Sequence, residues 1–308
     1  MDEALTELRA GGTWRVHGRD LRVSNLDKIL FPGRGDEAPV TKRELLDYAA
    51  AIAPTLMPYL RGRALNMHRF PDGAARAGFW HKEVPAHAPD WVSRWVEPRD
   101  GEAPRTHLLV NEPATLVWAA NFGALEWHAW TSLASAPDLP TYVLFDVDPG
   151  TATAWPDVLL LAKLHRDALA HLNVTASPKV TGKRGIQIWV PIEPGPTFDE
   201  TRAWAEAVSR AIGAVVPELV SWRWEVRGRD GLARLDYTQN AVNKTLVAPY
   251  SPRATPGAPV SAPITWDELD DPALRPDAIT IRGLARRLDE HGDLFASVLQ
   301  PQPLPPVR

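Results

Sequence analysis

The chain contains no cysteine among its 308 residues, so disulfide bonds and cysteine-bound zinc are excluded. It also lacks any apolar run of about 18 residues, the length needed to cross a bilayer. The first residues, Met1-Asp2-Glu3, are not those of a signal peptide, which needs an apolar core. From these absences we expect a cytoplasmic protein with no zinc and no membrane partner.

An excess of positive charge is also absent. The net charge is −4, whereas proteins that bind duplex nucleic acid tightly usually carry an excess of basic residues. Lysine is scarce, at seven residues, and arginine is abundant. The basic residues are clustered, however, at positions 61–69, 179–184 and 223–234. We therefore expect a basic cleft on a mildly acidic body, with modest, salt-sensitive affinity for nucleic acid. Since 44% of the residues are hydrophobic, the chain has ample material for a core.

An apolar segment at 142–150 ends in two carboxylates, Asp146 and Asp148. Alternate residues of a strand share a face, so this spacing places both carboxylates on one side of the strand where it ends. Two neighbouring carboxylates repel each other unless a cation lies between them, and an oxygen-only pair suits Mg²⁺ or Mn²⁺. The segment predicts either a metal site or a solvated turn, since such triplets also occur by chance.

A third carboxylate, Asp236, lies in the short strand-like segment 233–240. Three carboxylates from two strands are typical of two-metal phosphoryl or nucleotidyl transfer. The alternative is an ion pair between Asp236 and a nearby arginine such as Arg234.

Residues 177–191 combine a small-residue loop with a strand-like run. The loop carries Lys179, Lys183 and Arg184 together with two glycines, which let backbone N–H groups approach an anion. The spacing is not that of a Walker A motif. The segment predicts either a cradle for phosphate or a solvated hairpin turn.

Apolar periodicity and capping residues predict three long helices, at 41–60 with Thr41 as N-cap, at 155–172, and at 199–216 with Thr197 or Asp199 as N-cap. Strands are predicted at 106–110, 141–148, 186–191, 234–237 and 246–248. Residues 255–263 form a proline-rich connector, and 301–308 are predicted to be a frayed tail.

In this order the segments resemble the polymerase domain of the bacterial end-joining protein LigD, a branch of the archaeo-eukaryotic primase superfamily. The resemblance runs from about Val23 to the C-terminal region, and it includes segments 24–32, 41–42, 60–65, 69–73, 78–82, 123–130 and 248–253. It implies an α/β (α+β) fold with a mixed, largely antiparallel central sheet flanked by helices around a primase-like catalytic core. The domain would cover 23–300, with lobes at about 23–135 and 136–300, after an N-terminal extension at 1–22 and before the tail at 301–308.

The resemblance also implies roles for individual residues. Asp146, Asp148 and Asp236 would bind two divalent ions, Mn²⁺ or Mg²⁺, and His128 would act beside them in catalysis. Contacts with the incoming NTP or dNTP would come from Thr181, Lys183, Arg184, Gln187, Gln239, Lys244 and Arg253. The DNA 5′-phosphate and the template would be bound by Asn25, Lys28, Lys42, Arg69, Phe79 and Trp80.

One residue departs from the family pattern. Gln187 stands where the family usually has histidine, and an amide can donate a hydrogen bond to a phosphate but cannot carry positive charge. Thr181 replaces the more usual serine and keeps the hydroxyl group.

The function implied is template-directed extension of a primer 3′-hydroxyl at short gaps or broken ends during non-homologous end joining. The expected partners are gapped or broken DNA with a 5′-phosphate, a separate DNA ligase and Ku, and the expected location is the cytoplasm, associated with the nucleoid. No Lys-x-Asp-Gly ligase motif is present, so we expect a stand-alone polymerase. The alternatives are a non-catalytic DNA-end or 5′-phosphate binding module, which Gln187 favours, and a metal-dependent phosphodiesterase.

Overall fold

Helices and antiparallel sheets alternate along the chain, of which the computed structural model describes residues 2–98 and 101–307. The first elements are α1 (Glu3–Glu7), β1 (Gly11–Val16), β2 (Arg19–Ser24), β3 (Ile29–Phe31), β4 (Val40–Thr41), α2 (Lys42–Leu60), β5 (Ala64–Arg69), β6 (Phe79–His81), β7 (Arg94–Glu97), β8 (Arg105–Leu109), α3 (Pro113–Asn121) and β9 (Ala124–Trp130). They are followed by β10 (Ser132–Leu133), β11 (Ala136–Pro140), β12 (Tyr142–Pro149), α4 (Trp155–His171), β13 (Ser177–Val180), β14 (Ile186–Pro191), α5 (Phe198–Val215), β15 (Ala233–Asp236), β16 (Thr245–Val247) and α6 (Leu284–His291).

These elements form two compact units. Unit 1 consists of Met1–Trp130, Val247–Val260 and Ile279–Asp289, and unit 2 consists of Thr131–Leu246, Ser261–Ala278 and Glu290–Arg308. The predicted two-lobe division places 247–260 and 279–289 in the second lobe, whereas the structure assigns them to unit 1. Hydrogen bonds within unit 1 hold the segment 247–260. The hydroxyl of Tyr48 donates to the carbonyl of Tyr250, and the backbone N–H of Trp127 donates to the hydroxyl of Ser251.

Helix α2 is the long helix of unit 1, and it begins where the sequence predicts. The side chain of Thr41 accepts from the backbone of Glu44 while the carboxylate of Glu44 accepts from the backbone of Thr41, which completes a capping box. The apolar residues at helical spacing, among them Leu45, Ala49 and Leu56, are buried. The prediction of this helix is confirmed, as are those of α4 and of α5 with Thr197 as its N-cap.

In unit 1, β5 lies at the centre of an antiparallel sheet and pairs with β6, β8 and β9, while β7 extends the sheet beyond β8. Strand β9 is buried along its whole length, because both its faces are covered. The hairpins β1–β2 and β3–β4 complete this unit. The strands of these two hairpins were not predicted from the sequence, since several of them mix charged and apolar residues.

Unit 2 is built on a four-stranded sheet in the order β13-β14-β12-β15, and every pair in it is antiparallel. Helices α4 and α5 pack against this sheet, and Phe145 of β12 meets His165 of α4 and Trp204 of α5. The two sheets with their flanking helices confirm the predicted α/β class with largely antiparallel pairing. The sheet of unit 2 also places the ends of β12 and β15 side by side.

The end of the chain differs from the prediction of a frayed tail. The side chain of Gln302 bonds to the backbone of Thr175, and the indole N–H of Trp204 donates to the carbonyl of Pro305 at 2.7 Å. For residues 302–305 the prediction of fraying was wrong, because the side chain of Trp204 and the backbone of Thr175 bind this segment. Arg308, the last residue of the predicted tail, lies outside the described residues. None of the helices within residues 2–98 and 101–307 is long and apolar enough to cross a membrane.

Candidate functional site

The three aspartates predicted from the sequence meet at one edge of the sheet of unit 2. Asp146 of β12 is directly opposite Asp236 of β15, and Asp148 lies two residues further along β12, opposite Arg234. Cross-strand neighbours of this kind have Cβ atoms roughly 5 Å apart. Side chains of β12 alternate between its two faces. Asp146 and Asp148 are partly exposed on one face, whereas Phe145 and Val147 are buried on the other. The strand pairing therefore brings the carboxylates together.

The electrostatics of this edge act on Asp146. Burial raises the pKa of its carboxyl to about 7, and the negative charges of Asp148 and Asp236 act in the same direction. A hydrogen bond from Gln187 and the charge of Lys179 oppose the rise. A carboxyl whose pKa is raised in part by neighbouring negative charges gains from a bound cation.

We expect the stability of the protein without divalent ions to fall as the pH rises from about 4 to about 7. The folded-state pKa of Asp146 lies above its ordinary value of 3.8, so the unfolded chain loses this proton first and folding is favoured at the lower pH. Allowing for partial exposure, the free energy of unfolding should drop by about 1–3 kcal/mol across this range.

Chemical denaturation at several pH values measures this drop, with Asp146→Asn as the matched variant. The slope of stability against pH should be shallower in Asp146→Asn. Equal slopes in the two proteins would show that Asp146 does not titrate in this range.

Arginines hold Asp148 from two sides. The buried Arg229 donates to one carboxylate oxygen at 2.7 Å and to the backbone carbonyl of the same residue at 3.1 Å. Arg184 lies 3.5 Å from the other oxygen and is half exposed. Sequence reasoning grouped Arg229 with a basic cluster and did not predict this contact. An arginine within a run of glycine and charged residues gave no sign that it would be buried.

Asp236 is likewise bonded within unit 2. One of its oxygens accepts from the hydroxyl and backbone N–H of Thr238 and from Arg234, and the other accepts from the amide of Gln239 at 2.8 Å. The ion pair with Arg234, the alternative left open by the sequence, is therefore present. In the part of the chain that the structure describes, no three His, Cys, Asp or Glu side chains form a ready set of metal ligands.

The donor set nevertheless fits a divalent cation of the Mg²⁺ or Mn²⁺ type. It consists only of carboxylate oxygens, which such ions prefer. The negative charges of Asp148 and Asp236 add to burial in raising the pKa of Asp146, and a cation would offset those charges. The arginines on Asp148 and Asp236 compensate part of the same negative charge.

The segment 177–191 forms the hairpin of β13 and β14. Strand β14 pairs with β12, the acidic strand that carries Asp146 and Asp148. The hydroxyl of Thr181 accepts from the backbone N–H groups of Lys183, Arg184 and Gly185, which shapes the turn. At Gly185 a Cβ atom would collide with the carbonyl oxygen of Val147, so the close approach of turn and acidic strand requires glycine.

Lys179 departs from the prediction of a loop with three cations. It belongs to β13 and is fully buried, and its ammonium donates to Gln187 and to Ser261, each at 2.7 Å. Its charge lowers the pKa of Asp146 from within the protein. Only Lys183 and Arg184 remain as cations of the turn.

Gln187, the residue that departs from the family pattern, is also buried. Its carbonyl oxygen accepts from Lys179 while its side chain hydrogen-bonds to Asp146. The amide therefore links a buried cation to the acidic strand. The predicted contact between Gln187 and a nucleotide phosphate stays a prediction.

We expect Gln187→Met to destabilise the protein by about 1–3 kcal/mol, because a buried ammonium and a carboxyl each lose a hydrogen-bond partner. Thermal or urea unfolding measures the loss. Adding Lys179→Met should restore part of it, since replacing both partners by apolar groups removes the uncompensated charge. Additive losses in the double variant would show that the two side chains do not interact.

In unit 1, a buried carboxylate that sequence reasoning missed organises several predicted residues. One oxygen of Glu126 lies 3.0 Å from Nε2 of His128 and 3.4 Å from Nδ1 of His68. The other accepts from the backbone N–H of Ala254 and lies 3.4 Å from Arg253. The signal was available in the sequence, because Glu126 and His128 are spaced i, i+2 on one strand and so share a face.

His128 is neutral at neutral pH. Burial lowers its pKa to about 4; the hydrogen bond to Glu126 opposes this, and the positive charge of Arg253 adds to it. A carboxylate can only accept, so Nε2 of His128 carries the hydrogen and donates to Glu126. The edge of the Trp80 ring stacks against the His128 ring at 4.7 Å between centroids.

Two lysines predicted to contact a 5′-phosphate lie together in unit 1. The backbone of Lys42 donates to the carbonyl of Lys28, and Lys28 reaches the carbonyl of Pro71 and the carboxylate of Asp72. Burial and the charge of Lys28 lower the pKa of Lys42. Asn25 starts this segment with φ of +53°, a left-handed conformation that asparagine tolerates better than most residues.

The predicted aromatic pair of unit 1 is exposed. Phe79 and Trp80 are 47% and 48% exposed, and the Trp80 ring is stacked on His68 at 4.4 Å. Arg69 is bonded to the carbonyl of Phe122 and stacks against the rings of Phe122 and Phe79. Arg69 thus supports Phe79, and His68 supports Trp80. Of the remaining predicted residues, Lys244 is exposed in the loop before β16.

Comparison with known proteins agrees with this fold. A family model described as the LigD primase-polymerase domain matches residues 41–295. The solved polymerase domain of Mycobacterium tuberculosis ligase D, in complex with DNA, superimposes with a TM-score of 0.81 at 28% identity, covering 91% of this chain and 98% of that one.

Curated relatives agree as well. The multifunctional non-homologous end joining protein LigD of Mycolicibacterium smegmatis is 32% identical over 279 residues, which are 90% of this chain and 36% of the relative. The bifunctional LigD of Bacillus subtilis is 30% identical over 91% of this chain and 44% of its own length. The chain thus spans between a third and a half of the length of these two relatives.

Fold and relatives together define a polymerase domain of the nucleotidyltransferase class. The chain belongs to the LigD primase-polymerase domain family.

Proposed function

We propose that this chain extends the 3′-hydroxyl of a DNA primer with nucleoside triphosphates, at short gaps or broken ends that carry a 5′-phosphate. The observation that carries the proposal is the register of β12 and β15, in which Asp146 faces Asp236 and Asp148 follows on the same strand. Oxygen-only carboxylate groups of this kind serve metal-dependent nucleotidyl transfer.

Asp146, Asp148 and Asp236 would hold two divalent ions. When bound, these ions would activate the 3′-hydroxyl and offset charge on the triphosphate and on the departing pyrophosphate. The carboxylates would supply the negative charge that fixes the ions. Burial, together with the charges of Asp148 and Asp236, raises the pKa of Asp146, and bound cations would offset the contribution of those charges.

The residues of the turn between β13 and β14 would bind the triphosphate. Lys183 and Arg184 follow Thr181, whose hydroxyl holds the backbone of both residues in place. A shaped turn with two cations can neutralise phosphate charge with little reorganisation. Gln239 and Lys244 would add contacts from the segment after β15. For His128 and Arg253 of unit 1, nucleotide contact stays a prediction from the family resemblance.

Asn25, Lys28 and Lys42 would hold the 5′-phosphate. The lowered pKa of Lys42 follows from burial and from the neighbouring ammonium of Lys28, and a bound phosphate would offset that repulsion. Exposed Phe79 and Trp80, supported by Arg69 and His68, would stack on template bases, because stacking accepts any base. The solved relative in complex with DNA supports a DNA partner. A ligase, Ku and a cytoplasmic, nucleoid-associated location stay predictions.

The test is primer extension on a duplex with a short gap, with Mn²⁺ or Mg²⁺ and with NTPs or dNTPs supplied separately. We expect extension that stops on addition of EDTA and that weakens when the downstream 5′-phosphate is replaced by a hydroxyl. The comparison of NTPs with dNTPs reports the preferred sugar directly.

The variant Lys42→Met should lose the dependence on the 5′-phosphate, whereas Arg15→Met, at an exposed arginine on β1, should keep it. Binding that depends on the 5′-phosphate without any extension would replace the proposal by an end-binding module. Shortening of the primer would replace it by a phosphodiesterase.

A further inference from the structure

A pair of tryptophans in unit 2 is unusually exposed. Within residues 2–98 and 101–307, the tryptophans with more than a third of their surface in solvent are Trp80, Trp222 at 36% and Trp224 at 60%. Trp80 belongs to the aromatic pair already described. Trp222 and Trp224 lie in the segment between α5 and β15, which the proposed function does not use.

The backbone that carries these rings is fixed. The guanidinium of Arg229 donates to the carbonyl of Arg223 at 2.9 Å and to the carbonyl of Trp224 at 2.6 Å. The same guanidinium holds the carboxylate of Asp148. At the start of the segment, Ser221 bonds through its backbone to Ala233 of β15. Trp224 is therefore tied to the acidic edge of the sheet through a single buried arginine.

The two rings differ in how much of each is available. Trp222 is covered by Arg210 of α5, whose guanidinium lies 3.9 Å from the ring centroid. The edge of the Trp222 ring also lies against α5, so closely that a Cβ atom at Gly213 would be 2.7 Å from the ring. Trp224 stacks on the guanidinium of Arg234 at 4.4 Å and otherwise faces solvent. Arg234 in turn is paired with Asp236.

We infer that the exposed indole of Trp224, stacked on Arg234, is a binding site for an unpaired base of single-stranded nucleic acid beside the carboxylates of unit 2. An indole face attracts any base, and such stacking serves single-strand binding without regard to sequence. The Trp222 ring is largely covered by Arg210 and α5, so it offers little of its face to a base. Its role is to support the site.

Charge favours nucleic acid over an apolar protein segment as the occupant. The exposed side chains of Arg223 and Arg227 flank Trp224 along the chain, and Arg210 and Arg234 lie beneath the two rings. Arginine can pair with backbone phosphates and can also stack with bases. Glu225 and Asp230 reduce the net charge but leave the segment 221–234 positive. The inference takes only nucleic acid as the ligand class from the proposed function.

The test is fluorescence anisotropy of a labelled single-stranded oligonucleotide of about 12 nucleotides without a 5′-phosphate, at low and at moderate salt. We expect Trp224→Leu to weaken binding roughly 5- to 100-fold, the range for loss of one base stack. Trp224→Phe should keep binding within about threefold, since it keeps an aromatic face. Trp222→Leu should have a smaller effect than Trp224→Leu.

Val215→Ala is the matched control, because this residue is 71% exposed on the neighbouring helix α5 but has no aromatic ring. Unchanged binding by Trp224→Leu, or equal losses in the Leu and Phe variants, would overturn the inference. Thermal melting of each variant confirms that the fold is retained, and the Phe variant decides the matter if the Leu variant melts early.

Primer extension by the same proteins separates this inference from the proposed function. Single-strand binding that depends on Trp224 in a protein without extension would keep the site and reject the polymerase. Normal extension together with binding that ignores Trp224 would keep the polymerase and reject the site.

Discussion

Asp148→Asn is expected to reduce the rate of primer extension to about a thousandth of the rate of the native chain. The substitution keeps the size of the side chain and removes one of three negative charges that would fix the divalent ions. Loss of charge stabilisation at a reacting phosphate costs factors of about 100 to 1,000 even when a single donor is removed.

The fold of Asp148→Asn should survive. Its side chain is partly exposed, and Arg229 keeps its bonds to the carbonyls of Asp148, Arg223 and Trp224. Single-turnover extension measures the effect, and Asp138→Asn, at an exposed carboxylate on β11 of the same unit, is the control. Activity of Asp148→Asn within tenfold of the native value would show that the reaction does not use this carboxylate.

Glu126→Ala is expected to destabilise the protein by about 3–5 kcal/mol, the cost of breaking a buried ion pair by removing one of its members. Glu126 is almost fully buried, and Arg253, His128 and His68 all lie within 3.4 Å of its two oxygens. Removing the carboxylate takes a negative charge and a hydrogen-bond acceptor away from one guanidinium and two imidazoles. Urea unfolding at neutral pH measures the loss.

Glu126→Gln distinguishes charge from hydrogen bonding in this cluster. The amide oxygen can still accept from His128 or from Ala254, so we expect a smaller loss of about 1–3 kcal/mol. We also expect weaker nucleotide binding, because Arg253 loses the negative charge beside it. A Glu126→Ala variant as stable as the native protein would show that the cluster adds nothing to folding.

The sequence predicts those parts of the fold that depend on local rules. The capping box of Thr41 and Glu44 determines the start of α2, and the spacing of apolar residues determines its buried face. The spacing of Asp146 and Asp148 on an apolar strand likewise predicted that both would lie on one face. The position of Asp236 directly opposite Asp146 depends on strand register, which neither segment contains by itself.

Buried charges are the part that local rules did not predict. Lys179, Glu126 and Arg229 lie in the interior, and each has a partner from a distant segment: Ser261 for the first, Arg253 for the second and Asp148 for the third. Charged residues are rarely buried without a partner. The residues next to them in the sequence are typical of solvent-exposed loops or of strands that mix polar and apolar residues. The sequence therefore did not indicate that these charged side chains are buried.

The segment 302–305 shows the same limitation in an apolar setting. Its prolines and lack of periodicity predict a frayed end, yet Trp204 on α5 binds the carbonyl of Pro305. The partner lies a hundred residues away in the sequence. Only the packed structure reveals that a tryptophan N–H needs this acceptor.

The proposed polymerase activity requires that the carboxylates of unit 2 bind the divalent ions of nucleotidyl transfer. The most direct test is Mn²⁺ binding measured by electron paramagnetic resonance, in the presence of a non-hydrolysable nucleoside triphosphate. We predict roughly two ions per native chain, and at least one fewer in Asp146→Asn and in Asp236→Asn, with Asp138→Asn unchanged. Equal Mn²⁺ binding by all four proteins would show that these carboxylates do not bind the ions.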